Sequence, residues 1–243
     1  MTGIEFIRRN PSAGLLLVQI MGVLLYPLME DTPGGRAVFA AFGLIVLGVA
    51  LWVVKRSPWL TWLACLLAVS VVTLSLVNTL APNPHLPVAT AVLEAAFYFY
   101  ATGSLIAYML QDRFVTTDEF YAAGATFTLL AWAFAYLYMA CQAFIPGSFS
   151  AIDDPHGMRT WMELLFLSFT TLSGVGLGDI VPVLPMARAL VMLEQLAGVM
   201  YIVLVVSRLV GLAQYRIGRT RSDPRAGDDT KSGEPGHQPG SKS

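Results

Sequence analysis

Six long apolar runs, separated by short polar segments, constrain the fold of this chain more than any other feature. A helix needs about 20 apolar residues to cross the ~30 Å hydrocarbon core of a bilayer. Runs of about that length extend from about Ser12 to Met29, Ala37 to Val54, Trp59 to Leu80, Leu86 to Leu110, Ala122 to Phe144 and Ala187 to Val206. The chain is 56% hydrophobic and 13% charged, which is a membrane composition. Because lipid cannot satisfy backbone polar groups, we predict an all-α membrane protein with six transmembrane helices.

A shorter apolar segment, from about Met158 to Leu172, lies between the last two runs. It is too short to span a bilayer and predicts a re-entrant helix. It leads into Ser173-Gly174-Val175-Gly176-Leu177-Gly178-Asp179, whose alternate glycines permit backbone geometries that other residues disfavour. This pattern is typical of a pore helix followed by a selectivity filter, in which rings of backbone carbonyls replace the hydration shell of an ion. The alternative is a glycine-rich re-entrant turn that binds no ion.

Residues 168–182, Ser-Phe-Thr-Thr-Leu-Ser-Gly-Val-Gly-Leu-Gly-Asp-Ile-Val-Pro, align without a gap to the signature S-F-x-T-L-T-T-V-G-Y-G-D-I-x-P. They resemble the pore of the potassium-channel superfamily, in particular bacterial six-transmembrane proteins with a single pore loop per chain. The similarity covers roughly residues 118–216 and continues through Arg188, Glu194, Gly198, Tyr201 and the Arg-Leu-Val-Gly of residues 208–211. Since we detect no internal repeat, a four-fold pore requires three further copies of this chain, a homotetramer.

The resemblance implies that Ser173, Gly174, Val175, Gly176, Leu177 and Gly178 form the filter. A monovalent cation would bind at the carbonyls of Gly174, Val175, Gly176 and Leu177, so potassium ions are expected there and no other cofactor. Gly174 stands where the family has threonine, and a ring of hydroxyl ligands is lost. Leu177 replaces the tyrosine that braces the filter. We therefore expect a passive monovalent cation channel that conducts potassium with weakened selectivity; the alternative is a non-conducting relative.

Several further residues have two interpretations. Ser173 either presents its hydroxyl to the pore or caps the pore helix. Asp179 either forms a hydrogen bond behind the filter or is a solvated charge at its mouth. Glu194 is an acid within an apolar run, which favours a functional role, and we expect it to brace the pore helix or a neighbouring subunit. Gly198 is either a gating hinge or a site of close helix packing.

Basic residues are concentrated in alternate polar segments, and this distribution sets the orientation. They lie before the first run, between the second and third, between the fourth and fifth, and after the sixth; they include Arg8, Arg9, Lys55, Arg56, Arg113, Arg208, Arg216, Arg219 and Arg221. The positive-inside rule then places both termini in the cytoplasm and Asp179 outside, in a multi-pass protein of the plasma membrane. The partners expected are the lipid bilayer and copies of the chain, with no nucleic acid.

Three parts follow along the chain. Residues 1–115 form a four-helix bundle, residues 116–216 a pore domain that begins at a capping box of Thr116 and Glu119, and residues 217–243 a disordered cytoplasmic tail. The bundle occupies the position of a voltage sensor, but its fourth run contains no Lys or Arg, only Glu94, so we expect no voltage gating.

Other function classes fit the sequence less well. His85, His156 and His237 lie outside the apolar runs and share no ligand spacing, so we expect no enzyme. A secondary transporter with a broken-helix ion site is an alternative, but such transporters use paired repeats and only one broken segment is present.

Overall fold

The computed structural model describes residues 10–30, 35–54, 61–81, 86–111, 117–152, 154 and 157–221. These ranges contain seven helices, so the fold is predominantly helical. They are α1 (Pro11–Glu30), α2 (Gly35–Val54), α3 (Thr61–Leu80), α4 (Leu86–Gln111), α5 (Thr117–Phe144), α6 (Trp161–Leu172) and α7 (Pro185–Arg221). Each apolar run and the shorter segment therefore forms a helix.

Three stretches within the described ranges are long and apolar enough to cross a membrane: Leu86–Leu110, Thr117–Phe144 and Pro185–Val205. Shorter apolar stretches occupy Pro11–Pro27 and Trp62–Asn78. The full count of six spans stays a prediction. Helix α7 continues to Arg221, past the predicted end of the pore domain at residue 216. The predicted tail from residue 222 onward lies outside the described residues, as does Thr116, the predicted N-cap of α5.

The fold is not entirely helical, because two three-residue strands pair outside the helices. Strand β1 (Phe149–Ala151) follows α5, and strand β2 (Ile180–Pro182) follows the glycine-rich segment. They are antiparallel, with Ser150 opposite Val181. The pair joins the two ends of the connection that contains α6, so it fixes where the glycine-rich segment ends. Strands this short show no detectable alternation of apolar and polar residues, so the pair was not predicted from the sequence.

Helix α5 is central to the packing, since it contacts α1, α4, α6 and α7. A cluster of rings joins these helices. Trp161, at the start of α6, lies 5.2 Å from Trp132 of α5 and 5.5 Å from Tyr26 of α1, measured between ring centroids. Helix α6 therefore begins in contact with both α1 and α5.

Candidate functional site

The start of α6 is fixed by a capping box and by a clamp to α5. The backbone N–H of Glu163 donates to the Thr160 hydroxyl at 3.3 Å, and the Thr160 N–H donates to the Glu163 carboxylate at 2.6 Å. The Gln142 side-chain amide donates to the Arg159 carbonyl at 2.8 Å and accepts from the Arg159 N–H at 3.0 Å. These bonds satisfy backbone groups at the helix start and tie it to the end of α5.

The Arg159 side chain adds two ion pairs at the same place. Its guanidinium lies 3.1 Å from Glu163 and 3.4 Å from Asp154, and the Arg159 side chain is 3% exposed. Asp154 belongs to the loop between β1 and α6. The neighbouring Asp153, which the sequence assigns to the same loop, lies outside the described residues.

At its other end, α6 passes into the glycine-rich segment through a left-handed turn. Ser173 is the C-cap residue, with right-handed backbone angles, and its hydroxyl points back to the Thr170 carbonyl at 3.4 Å. Gly174 follows with φ of +75° and donates its N–H to the Thr171 carbonyl at 3.1 Å. This is the conformation in which glycine ends a helix at lowest cost. Of the two roles predicted for Ser173, the single chain therefore shows the capping arrangement.

Gly176 repeats the left-handed conformation two residues later. Its φ is +68°, and its N–H donates to the Thr170 carbonyl at 2.9 Å. The N–H groups of residues 173, 174 and 176 thus point back toward the last turn of α6. Among the described residues, the carbonyl oxygens of residues 174–177 accept no hydrogen bond. Residues 173–179 are all exposed in the single chain. An exposed run of unpaired carbonyls is the donor set that a dehydrated monovalent cation requires.

Glu194 of α7 lies behind this segment and is fully buried. Its carboxylate accepts hydrogen bonds from the Ser168 hydroxyl of α6 and from the Tyr138 hydroxyl of α5. The Ser168 hydroxyl also lies 2.8 Å from the Ala131 carbonyl of α5. One carboxylate therefore joins all three helices of the predicted pore domain. Bracing of the pore helix was predicted from the sequence; the participation of Tyr138 was not, because only the fold brings it within reach.

Gly198 lies one turn farther along α7, beside the C-terminal end of α6. A Cβ atom at this position would overlap the backbone carbonyl of Leu172, the last residue of α6. Gly198 is buried, and α7 is helical on both sides of it. The contact supports close packing as one role of this glycine, and a hinge at the same position stays a prediction.

Asp179 is exposed, and its side chain forms no hydrogen bond among the described residues. It lines a cavity of about 720 Å³ with Ile180 and the α6 residues Phe166 and Phe169. The predicted hydrogen bond behind the filter is therefore not formed within one chain. Leu177 is 51% exposed and Val175 is 65% exposed, so these two apolar side chains are not covered by their own chain.

The sequence model of the ion-channel family matches residues 124–215. The match begins within α5, includes α6 and the glycine-rich segment, and ends within α7, so it contains the whole site described above. Residues 124–215 therefore resemble an ion-channel domain. No curated protein and no solved structure shows significant similarity to the chain. With its apolar helices, the ion-channel domain makes this a membrane protein, and the bundle α1–α4 lies outside the match.

Proposed function

We propose that this protein is a passive, potassium-conducting cation channel in the plasma membrane, with both termini in the cytoplasm. The observation that supports it best is the exposed segment 173–178, which places four adjacent unpaired carbonyls beside the C-terminus of a short pore helix. Four copies of this segment around one axis would supply successive rings of oxygen ligands.

The proposed channel is a homotetramer, because one chain contributes one glycine-rich segment. The exposed surface of the ion-channel domain supports this. Val175 and Leu177 are uncovered, and so is an apolar face of α7 made of Met192, Leu193, Leu196, Val199, Met200 and Val203. In a four-fold assembly, part of this surface would contact neighbouring chains and part would line the pore. Any part of it left over would face lipid.

Selectivity for potassium over sodium is proposed to be modest. The chain has no side-chain oxygen at position 174, and Gly174 adds backbone freedom where the family has threonine. In the single chain the Ser173 hydroxyl is directed to the Thr170 carbonyl, so it does not replace the missing ligand. Leu177 has no hydroxyl with which to brace the filter.

Reversal potentials of the purified protein in a planar bilayer test the proposal. Under opposed potassium and sodium gradients, we expect a cation current whose reversal potential lies toward the potassium equilibrium potential without reaching it. A reversal potential at the potassium value would contradict weakened selectivity. No current at any gradient from correctly assembled protein would instead identify a non-conducting member of the family.

A further inference from the structure

Two adjacent carboxylates at the start of α5 contact opposite parts of the molecule. Asp118 is 7% exposed and Glu119 is 5% exposed, although acidic residues are seldom buried without a partner. The capping box predicted for Glu119 stays a prediction, because Thr116 lies outside the described residues; in the structure the Glu119 carboxylate lies beside a side chain of α7.

Asp118 binds the bundle. Its carboxylate accepts hydrogen bonds from the backbone N–H and the hydroxyl of Ser12, both at 3.0 Å, and from the Tyr108 hydroxyl at 3.3 Å. Ser12 is in the first turn of α1 and Tyr108 is in the last turn of α4. One carboxylate therefore holds the ends of two bundle helices against the first turn of α5.

Glu119 binds the inner helix of the ion-channel domain. Its carboxylate lies 3.1 Å from the guanidinium of Arg208, near the end of the apolar part of α7. A second contact lies two turns earlier, where the Tyr201 hydroxyl donates to the Ala123 carbonyl of α5. Because Arg208 is 17% exposed and Glu119 5% exposed, water screens this ion pair less than a surface pair.

We propose that this Asp118–Glu119 junction couples the bundle to the pore, and that the Glu119–Arg208 ion pair holds the inner helix away from the pore axis. The inference rests on the proposed channel function. It follows from the direction of the contact, since the pair draws α7 toward α5, whereas the exposed apolar face of α7 points the other way. Removing this ion pair weakens the hold of α5 on the end of α7, which can then move toward that face, where four such helices would converge and close the pore.

Single-channel recording of variants tests the coupling. We expect Glu119→Gln and Arg208→Gln each to lower the open probability about tenfold, which corresponds to about 1.4 kcal/mol. The double variant is expected to lower it no further, and the exchanged pair Glu119→Arg with Arg208→Glu to restore most of it. Ser207→Ala is the matched control, because within the described part of the chain the exposed Ser207 hydroxyl bonds only the Leu204 carbonyl of its own helix, at 3.0 Å. Unchanged open probability in both single variants, or additive effects in the double variant, would overturn the proposal.

A separate variant, Asp118→Asn, tests whether the bundle contributes to the coupling. Asp118→Asn leaves the Glu119–Arg208 pair in place but weakens the attachment of α1 and α4, so it too is expected to lower the open probability. Its unitary conductance and its potassium–sodium permeability ratio are expected to stay at wild-type values, because the filter is untouched. An Asp118→Asn channel with wild-type open probability would confine the junction to α5 and α7 and overturn the role of the bundle.

A distance measurement between spin labels on α5 and α7 tests the junction independently of whether the protein conducts ions. Spin labels are attached at Phe120→Cys and Ser207→Cys, two exposed positions beside the pair, after the free cysteines Cys65 and Cys141 are replaced by alanine. Dipolar broadening is expected to fall when Glu119→Gln is added, whether or not the protein conducts. Unchanged broadening in full-length protein would overturn the junction, whereas absence of current alone would overturn only the channel.

Discussion

Gly174 has a conformational role at the C-terminus of α6. Its φ of +75° lies where a β-branched residue is strongly disfavoured. Threonine at this position therefore has to leave the left-handed region, or be strained by about 1–2 kcal/mol in each chain. Either change alters the turn between α6 and the filter as well as adding a hydroxyl.

A Gly174→Thr channel is expected to prefer potassium over sodium more strongly than the wild type, because it gains a ring of hydroxyl ligands and loses backbone freedom. Each tenfold gain in the permeability ratio corresponds to about 1.4 kcal/mol between the barriers for the two ions. Gly174→Val is the control, since valine has the branched shape and the conformational restriction of threonine but supplies no oxygen. Equal ratios in conducting wild-type and Gly174→Thr channels, measured from reversal potentials, would contradict the prediction.

Replacing Gly198 distinguishes its two predicted roles, close helix packing and a gating hinge. Because a methyl group there overlaps the Leu172 carbonyl, Gly198→Ala is expected to lower the free energy of unfolding by about 1–3 kcal/mol, the usual cost of overpacking. Gly48→Ala in α2 is the control, since no atom lies within 4 Å of the added carbon. Thermal unfolding of the two purified variants measures the loss of stability in each. A Gly198→Ala protein that is as stable as the wild type but gates differently would favour the hinge.

Among the helices, the Glu194 carboxylate of α7 connects α5 and α6 through its hydrogen bonds with Tyr138 and Ser168. Tyr138→Phe removes one of its donors and leaves a buried carboxylate with one partner fewer, at a cost of about 1–3 kcal/mol. The double variant with Glu194→Gln is expected to be non-additive by about 0.5–3 kcal/mol, because the two side chains share one hydrogen bond.

Unfolding free energies of the two single variants and the double variant measure this coupling. Thr73→Val is the control, as the Thr73 hydroxyl bonds the Val69 carbonyl of its own helix at 2.7 Å. Strict additivity would show that Tyr138 and Glu194 stabilise the protein independently of each other.

The helices themselves could be predicted from sequence, because length and hydropathy suffice to locate a membrane helix. Contacts between distant residues could not. Glu194 was recognised as an acid in an apolar run, but Tyr138 lies 56 positions away and has no local signal. The Glu119–Arg208 ion pair was not predicted, since sequence spacing does not show that Arg208 is near Glu119.

One missed feature did have a local signal. Thr160-Trp161-Met162-Glu163 is a capping-box pattern directly before an apolar run, and it marks the true start of α6. The predicted helix began at about Met158 because the prediction used hydropathy and not the capping box. The left-handed Gly174 also fits a known rule, as glycine is the usual residue just beyond a helix C-terminus.

At the scale of the whole molecule, the assembly is the first prediction to test. We expect a homotetramer, because each chain supplies one filter segment and leaves Val175 and Leu177 uncovered. Native mass measurement from mild detergent or native membranes checks this. A stable monomer or dimer as the main species would contradict it.

Weak voltage dependence is the second prediction at this scale. Helix α4 contains no basic residue between Leu86 and Gln111, so the bundle has no charge array to move in the membrane field. Open probability in a planar bilayer is expected to change only slightly between negative and positive potentials. A steep conductance–voltage curve, equivalent to many elementary charges, would show that the field acts on another part of the chain.

The central position of α5 has a consequence for biogenesis. Ribosomes make α1–α4 first, and α5 packs against α1 and α4 of that bundle as well as against α6 and α7, which are made later. The bundle therefore gives α5 a docking surface before the filter segment has been translated. Deleting the first four helices is expected to slow or prevent insertion of the pore segments, even if the bundle never contacts an ion.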